Sequence, residues 1–160
     1  MMASSKENAE YIRSHMTVQT IGPDKINQLR HVKFFGSFEG IKEHMKKHQA
    51  MLAPKFAAVL DGLEKEIAPL GIGSWTKPNG GYFISFDSLD GCAKRIVELC
   101  KQTGVVLTGA GATFPYKKDP RDRNIRIAPS YPPVEELKLA VEVFTTAVKL
   151  ASAEKLLNNI

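Results

Sequence analysis

NIRIAPSYPP, residues 124–133, is the stretch on which the reading of this chain turns. Ile125 and Ile127 flank Arg126 in a run that reads as a short buried strand, closed by Pro129, Pro132 and Pro133. Successive side chains on a strand point to opposite faces, so Arg126 looks away from both isoleucines. If the isoleucines face covering helices, the arginine faces the other side of a small sheet. That side is either solvent, where a cation is unremarkable, or a cavity, where a guanidinium takes an anionic partner. Its planar fork matches the two oxygens of a carboxylate. Asp87, Asp119 and Asp122 are the acids within the chain that could serve.

Working outward, IGSW (72–75) and GYFISFD (81–87) read as strands joined by the turn-rich residues 76–80. On the second, Tyr82, Ile84 and Phe86 share one face, and Phe83 and Ser85 the other. VVLT (105–108) reads as a third strand and IRIA (125–128) as a fourth. Helical patterns surround them. A Ser4/Glu7 capping box predicts a helix near 5–15, and Pro23 at a first helical position opens another through Ile26, Leu29, Val32 and Phe35. The longest apolar stripe runs over 38–70, and Pro54 is expected to kink or divide it. Asp90 is expected to cap a helix ending at Gln102, with Gly104 as its stop. A final helix covers 134–157. This order predicts an α+β fold, with a small, mostly antiparallel sheet of about four strands covered by helices.

Composition narrows the function. The formal charge of +5 is dispersed over mixed-sign segments rather than gathered in a basic stripe, which argues against nucleic acid as a partner. No apolar run approaches the roughly 18 residues of a membrane span and no leader is evident, so no membrane partner and a cytoplasmic location are expected. Cys92 and Cys100, taken to share one helix, lie too far apart to bridge and are expected as free thiols. His44 and His48 stand at i, i+4, but no third metal ligand accompanies them, and lysines surround them. Gly109 and Gly111 form a G-x-G without the helix that a dinucleotide fingerprint requires. The pair Gly80-Gly81 suits either a plain hairpin or a close backbone approach.

Taken in order, GGYFISFD (80–87), a helix, GVVLTGAGATFP (104–115), NIRIAPSYP (124–132) and a long terminal helix resemble the small C-terminal domain of fold-type I, class I/II, pyridoxal-phosphate aminotransferases. TVQTIGPDKINQLRH (17–31) is similar to the segment after the cofactor lysine in a bacterial branch. That branch holds aspartate-aminotransferase-like enzymes and the aminotransferase-like part of certain transcription regulators. The resemblance implies a helical segment over 1–36, following a cofactor domain, and the small domain over 37–160. It implies that Arg126 clamps the substrate α-carboxylate, that Gly81 and Tyr82 lie beside the substrate pocket, and that residues 109–113 form its wall. Thr20, Ile21 and Gly22 would approach the cofactor site of the partner subunit in a homodimer. Amino acid and 2-oxo acid substrates and pyridoxal 5'-phosphate follow from the same resemblance, with aspartate the first expected donor.

One departure qualifies it. The family's Schiff-base lysine stands in a Ser-x-x-Lys context followed by a glycine-containing run. Lys6 has Ala3 at the serine position and Glu10 where a small apolar residue belongs. The cofactor lysine is therefore expected upstream, and the chain alone is expected to be inactive. The other readings are an effector-sensing domain of a transcription regulator and a free-standing small-molecule binding module.

Overall fold

Apolar residues alternate along the strand segments 84–88 and 124–127, and that alternation sets which side of the sheet is dry. The structure is a computed structural model that describes residues 4–158. Its elements are helices α1 (Lys6–Met16), α2 (Lys25–Phe35) and α3 (Phe38–Glu66), strands β1 (Gly73–Trp75) and β2 (Ile84–Ser88), helix α4 (Ala93–Gln102), strand β3 (Asn124–Ile127) and helix α5 (Val134–Asn158). The chain divides into two compact units, Met1–Lys47 and His48–Ile160.

In the second unit the strands pair antiparallel in the order β1-β2-β3. The fold is α+β as expected, with three strands among the described residues rather than about four. Residues 105–108 join no ladder. The Val105 amide is taken by the Cys100 carbonyl at the end of α4, 2.8 Å away, and Val106 is 83% exposed. The segment leaves the helix as an irregular arm.

Ile84, Phe86, Ile125 and Ile127 form the dry face of the sheet. They join one core with Val59 and Leu63 of α3, Ile96 and Cys100 of α4, and Val141, Phe144 and Val148 of α5. The Phe86 and Phe144 rings meet edge to face at 5.1 Å. α3 crosses Pro54 without a break. Pro54 is exposed, so the carbonyl deprived of its bond faces water, while Val59 and Leu63 anchor the following turns. The helix ends at Glu66, and a separate 3-10 turn covers Ala68–Leu70.

α4 is not capped by Asp90. Cys92 occupies the N-cap without a side-chain bond, and Asp122 does the work from a distant loop. Its carbonyl accepts the Ala93 amide at 2.9 Å and its carboxylate the Lys94 amide at 3.3 Å. Asp90 instead pairs with Arg121 at 2.9 Å. Cys92 and Cys100 are free and buried. Burial pushes both thiols up, Cys100 to about 11, so neither is a ready nucleophile.

In the first unit, Ser5 rather than Ser4 caps α1, accepting the Asn8 amide at 3.3 Å. Asp24 caps α2 through the Asn27 amide at 2.9 Å, which leaves Pro23 ahead of the cap instead of at the first helical position. Neither α1 nor α2 buries a residue. No helix among the described residues is long and apolar enough to cross a membrane.

Candidate functional site

The face of the sheet opposite the core is polar. Register places Ser85 opposite Arg126 and Asp87 opposite Asn124, so these four side chains form two cross-strand pairs on one surface. The guanidinium of Arg126 lies over the Phe83 ring, 4.4 Å from its centroid. Its Nη2 reaches the Thr108 hydroxyl at 3.4 Å, a long contact. Its Nε is buried and has no hydrogen-bond partner among the described residues.

The three acids considered as partners are all engaged elsewhere. Asp87 accepts from Arg123 Nη2 at 2.7 Å and from Asn124 Nδ2 at 2.7 Å. The Arg123 hydrogen bond holds its carboxyl below the usual aspartate range, against the opposing effect of burial. Asp119 accepts the backbone amides of Arg121, Arg123 and Asn124 at 2.9, 2.8 and 2.9 Å. Burial raises the Asp119 pKa, but these three donors outweigh it and leave the carboxyl below its ordinary value. Asp122 caps α4. A half-buried cation with an unmet donor is a poor surface charge and a good anion receptor.

An irregular arm, residues 105–119, runs beside this face. Gly111 sits at φ +81°, and a Cβ there would lie 2.6 Å from the Lys117 carbonyl, so the arm's inner bend admits only glycine. Beyond it, the Thr113 hydroxyl donates to Asn124 Oδ1 at 2.6 Å. Asn124 Nδ2 in turn donates to Ser85 Oγ at 2.9 Å as well as to Asp87. The turn after β3 is tied from the opposite side: Lys55 of α3 donates to the carbonyls of Ser130 and Tyr131 at 2.7 and 3.3 Å.

Other expected residues fall as follows. β2 begins only at Ile84, because Gly81 at φ +88° interrupts the extended run. Tyr82 therefore lies before the ladder, 55% exposed, and does not share the dry face of Ile84 and Phe86. Gly81 and Tyr82 stand at the entry to the strand that faces Arg126. Thr20, Ile21 and Gly22 lie in the connection between α1 and α2, exposed, with the Thr20 hydroxyl bonded to Gly22. Lys6 is 87% exposed on its side chain and lies 4.0 Å from Glu10. The His44 ring packs against Phe34 and Phe35 at 5.4 Å from each, and no metal-binding cluster of His, Cys, Asp or Glu occurs among the described residues. Sequence reasoning passed over Asn124, Phe83 and Lys55. Asn124 shares the face of Arg126, two positions ahead of it, but nothing in the sequence pairs it with Thr113 or Asp87.

A family model described as aspartate aminotransferase matches residues 1–159. The chain belongs to the aspartate aminotransferase family. It is 48% identical over 155 residues to an aspartate aminotransferase of Corynebacterium glutamicum, covering 97% of this chain and 36% of that protein. The chain thus spans about a third of the length of that curated relative. A solved structure from Corynebacterium diphtheriae is 53% identical with a TM-score of 0.86, over 95% of this chain and 38% of that one. An α-aminoadipate aminotransferase of Thermus thermophilus matches with a TM-score of 0.72 at 18% identity, over 94% of this chain and 38% of that one, a likeness of fold.

Proposed function

We propose that this chain is the C-terminal, substrate-carboxylate-binding part of a pyridoxal-phosphate-dependent aminotransferase. The intact enzyme moves an amino group between an amino acid, aspartate first, and a 2-oxo acid. The observation that carries this is the state of Arg126: a half-buried guanidinium with an unpartnered Nε, while Asp87, Asp119 and Asp122 are all committed to other donors. Two parallel hydrogen bonds to a carboxylate would satisfy it and fix the orientation of the substrate at little entropic cost. The names of the relatives favour this reading over a regulator's effector domain or a free-standing binding module.

The described residues do not form a covalent anchor for pyridoxal phosphate. Lys6 projects into solvent beside Glu10 rather than into a cradle. Cofactor chemistry is accordingly assigned to the remainder of the intact enzyme. That enzyme is a cytoplasmic homodimer, in which Thr20, Ile21 and Gly22 approach the cofactor site of the partner subunit.

In the full-length enzyme, Arg126→Ala should raise KM for the amino acid and the 2-oxo acid together, by about 30-fold or more, with cofactor absorbance intact. Arg126→Lys should recover only part of this, because an ammonium lacks the planar fork. Loss of the cofactor with unchanged substrate affinity would overturn the assignment.

A further inference from the structure

We infer that Thr113 and Asn124 form a latch that holds the 105–119 arm against β3 and so sets the position of the Arg126 guanidinium. They are positioning residues, and the inference rests on the carboxylate-anchor reading above. Between Thr108 and Thr113 the arm touches the polar face at two points. The first, Thr108 to Arg126, is 3.4 Å long and too weak to hold a loop. The second, Thr113 to Asn124, is 2.6 Å. With the second contact gone, the arm carrying Thr108 is free to drift, and the guanidinium loses its lateral support.

The latch has a defined polarity. Ionised Asp87 can only accept, so the Asn124 amide must turn its NH2 toward Asp87 and Ser85. That leaves Oδ1 facing Thr113, which must donate. A flipped amide would set a carbonyl against a carboxylate. Arg123 keeps Asp87 ionised, so Asp87 on β2 accepts from Arg123 on one side and from Asn124 on the other, and Asn124 in turn accepts from Thr113 of the arm. Asp119 pins the far end of the same arm to the Asn124 backbone amide. Asn124 is 8% exposed and joins β2, β3 and both anchor points of the arm. Side-chain bonds of this number on one buried amide exceed what a three-stranded sheet needs to keep its register, since Ile84, Phe86, Ile125 and Ile127 already specify it.

The test uses the full-length enzyme with Thr113→Val, which removes the donor at nearly constant shape, and Thr113→Ser, which keeps it. Thr113 is exposed, so neither change threatens the core. Thr113→Val should raise KM for both substrates about three- to tenfold, the effect of one lost hydrogen bond, with a smaller change in kcat. It should weaken binding of succinate, a nonreacting dicarboxylate, by a similar factor in calorimetry, and speed amide exchange over 109–119 with Tm nearly unchanged. Thr113→Ser should behave as the wild type. If Thr113→Val binds succinate normally while Arg126→Ala does not, the latch is wrong and the carboxylate anchor stands. Equal impairment by Val and Ser also removes the latch. If Arg126→Ala too binds normally, both readings fall.

Discussion

Asp87 must be ionised to accept from Arg123 and Asn124 together. Its pKa in the folded chain is lowered, first by the Arg123 hydrogen bond. A carboxyl depressed on folding adds stability that is complete above the unfolded value of about 3.9 and is lost as pH falls through the folded value. Asp119, depressed through its backbone donors, acts in the same direction and window. Acid below about pH 4 should therefore loosen the polar face. Asp87→Asn should lower stability at pH 7 and flatten its decline toward pH 3, read from urea midpoints at the two pH values. Parallel declines in variant and wild type would refute the assignment. At this scale Arg126 was legible, because a cation between two isoleucines is conspicuous. Asn124 was not, although it shares the face of Arg126. Its importance depends on Thr113, eleven residues back, and on cross-strand neighbours, and an alternation of two does not specify such contacts.

α3 and α5 come together at Gly62, where a Cβ would lie 2.3 Å from Val141 Cγ1. Two effects oppose each other when that glycine becomes alanine. Helix propensity gains about 1 kcal/mol, whereas overpacking a buried contact costs about 1–3 kcal/mol. Val141 is 7% exposed and belongs to the core, so it has little room to retreat. Gly62→Ala should be net destabilising, and Gly62→Ala with Val141→Ala should recover much of the loss, in thermal unfolding of the four proteins of the cycle. Additive losses would show that the two residues do not touch. Helices were the legible elements: the five expected segments all exist, within a few residues at their ends. Two details escaped for physical reasons. Residues 105–108 have β-branched character, yet the amide of Val105 completes the end of α4. The cap of α4 comes from Asp122, twenty-eight residues beyond the amide it binds, where a local capping rule does not look.

Across the whole chain, burial is distributed unevenly. The core lies within residues 59–151, while Tyr11, Ile26, Val32, Phe34, Phe38 and Met45 of the first unit are all more than 60% exposed. Helices of 11 residues with no buried side chain are marginal in water. In the isolated 160-residue chain, amides of α1 and α2 should exchange within minutes while those of β2, β3 and α5 stay protected, as mass spectrometry would register. In the intact enzyme both sets should be slow. Equal protection of α1 and β2 in the isolated chain would contradict this. The general α+β plan was legible because its apolar periods are strong. The exposure of the first unit's apolar residues was not, since an apolar helical stripe reads the same in sequence whether or not it is covered. The uneven distribution also has a spectroscopic consequence through one side chain. Trp75, the sole tryptophan, sits on β1 with its ring stacked on Phe86 at 6.3 Å. Indole emission therefore reports on the unfolding of the sheet, whereas circular dichroism weighs every helix, and a gap between the two denaturation curves would show that the chain does not unfold in one step.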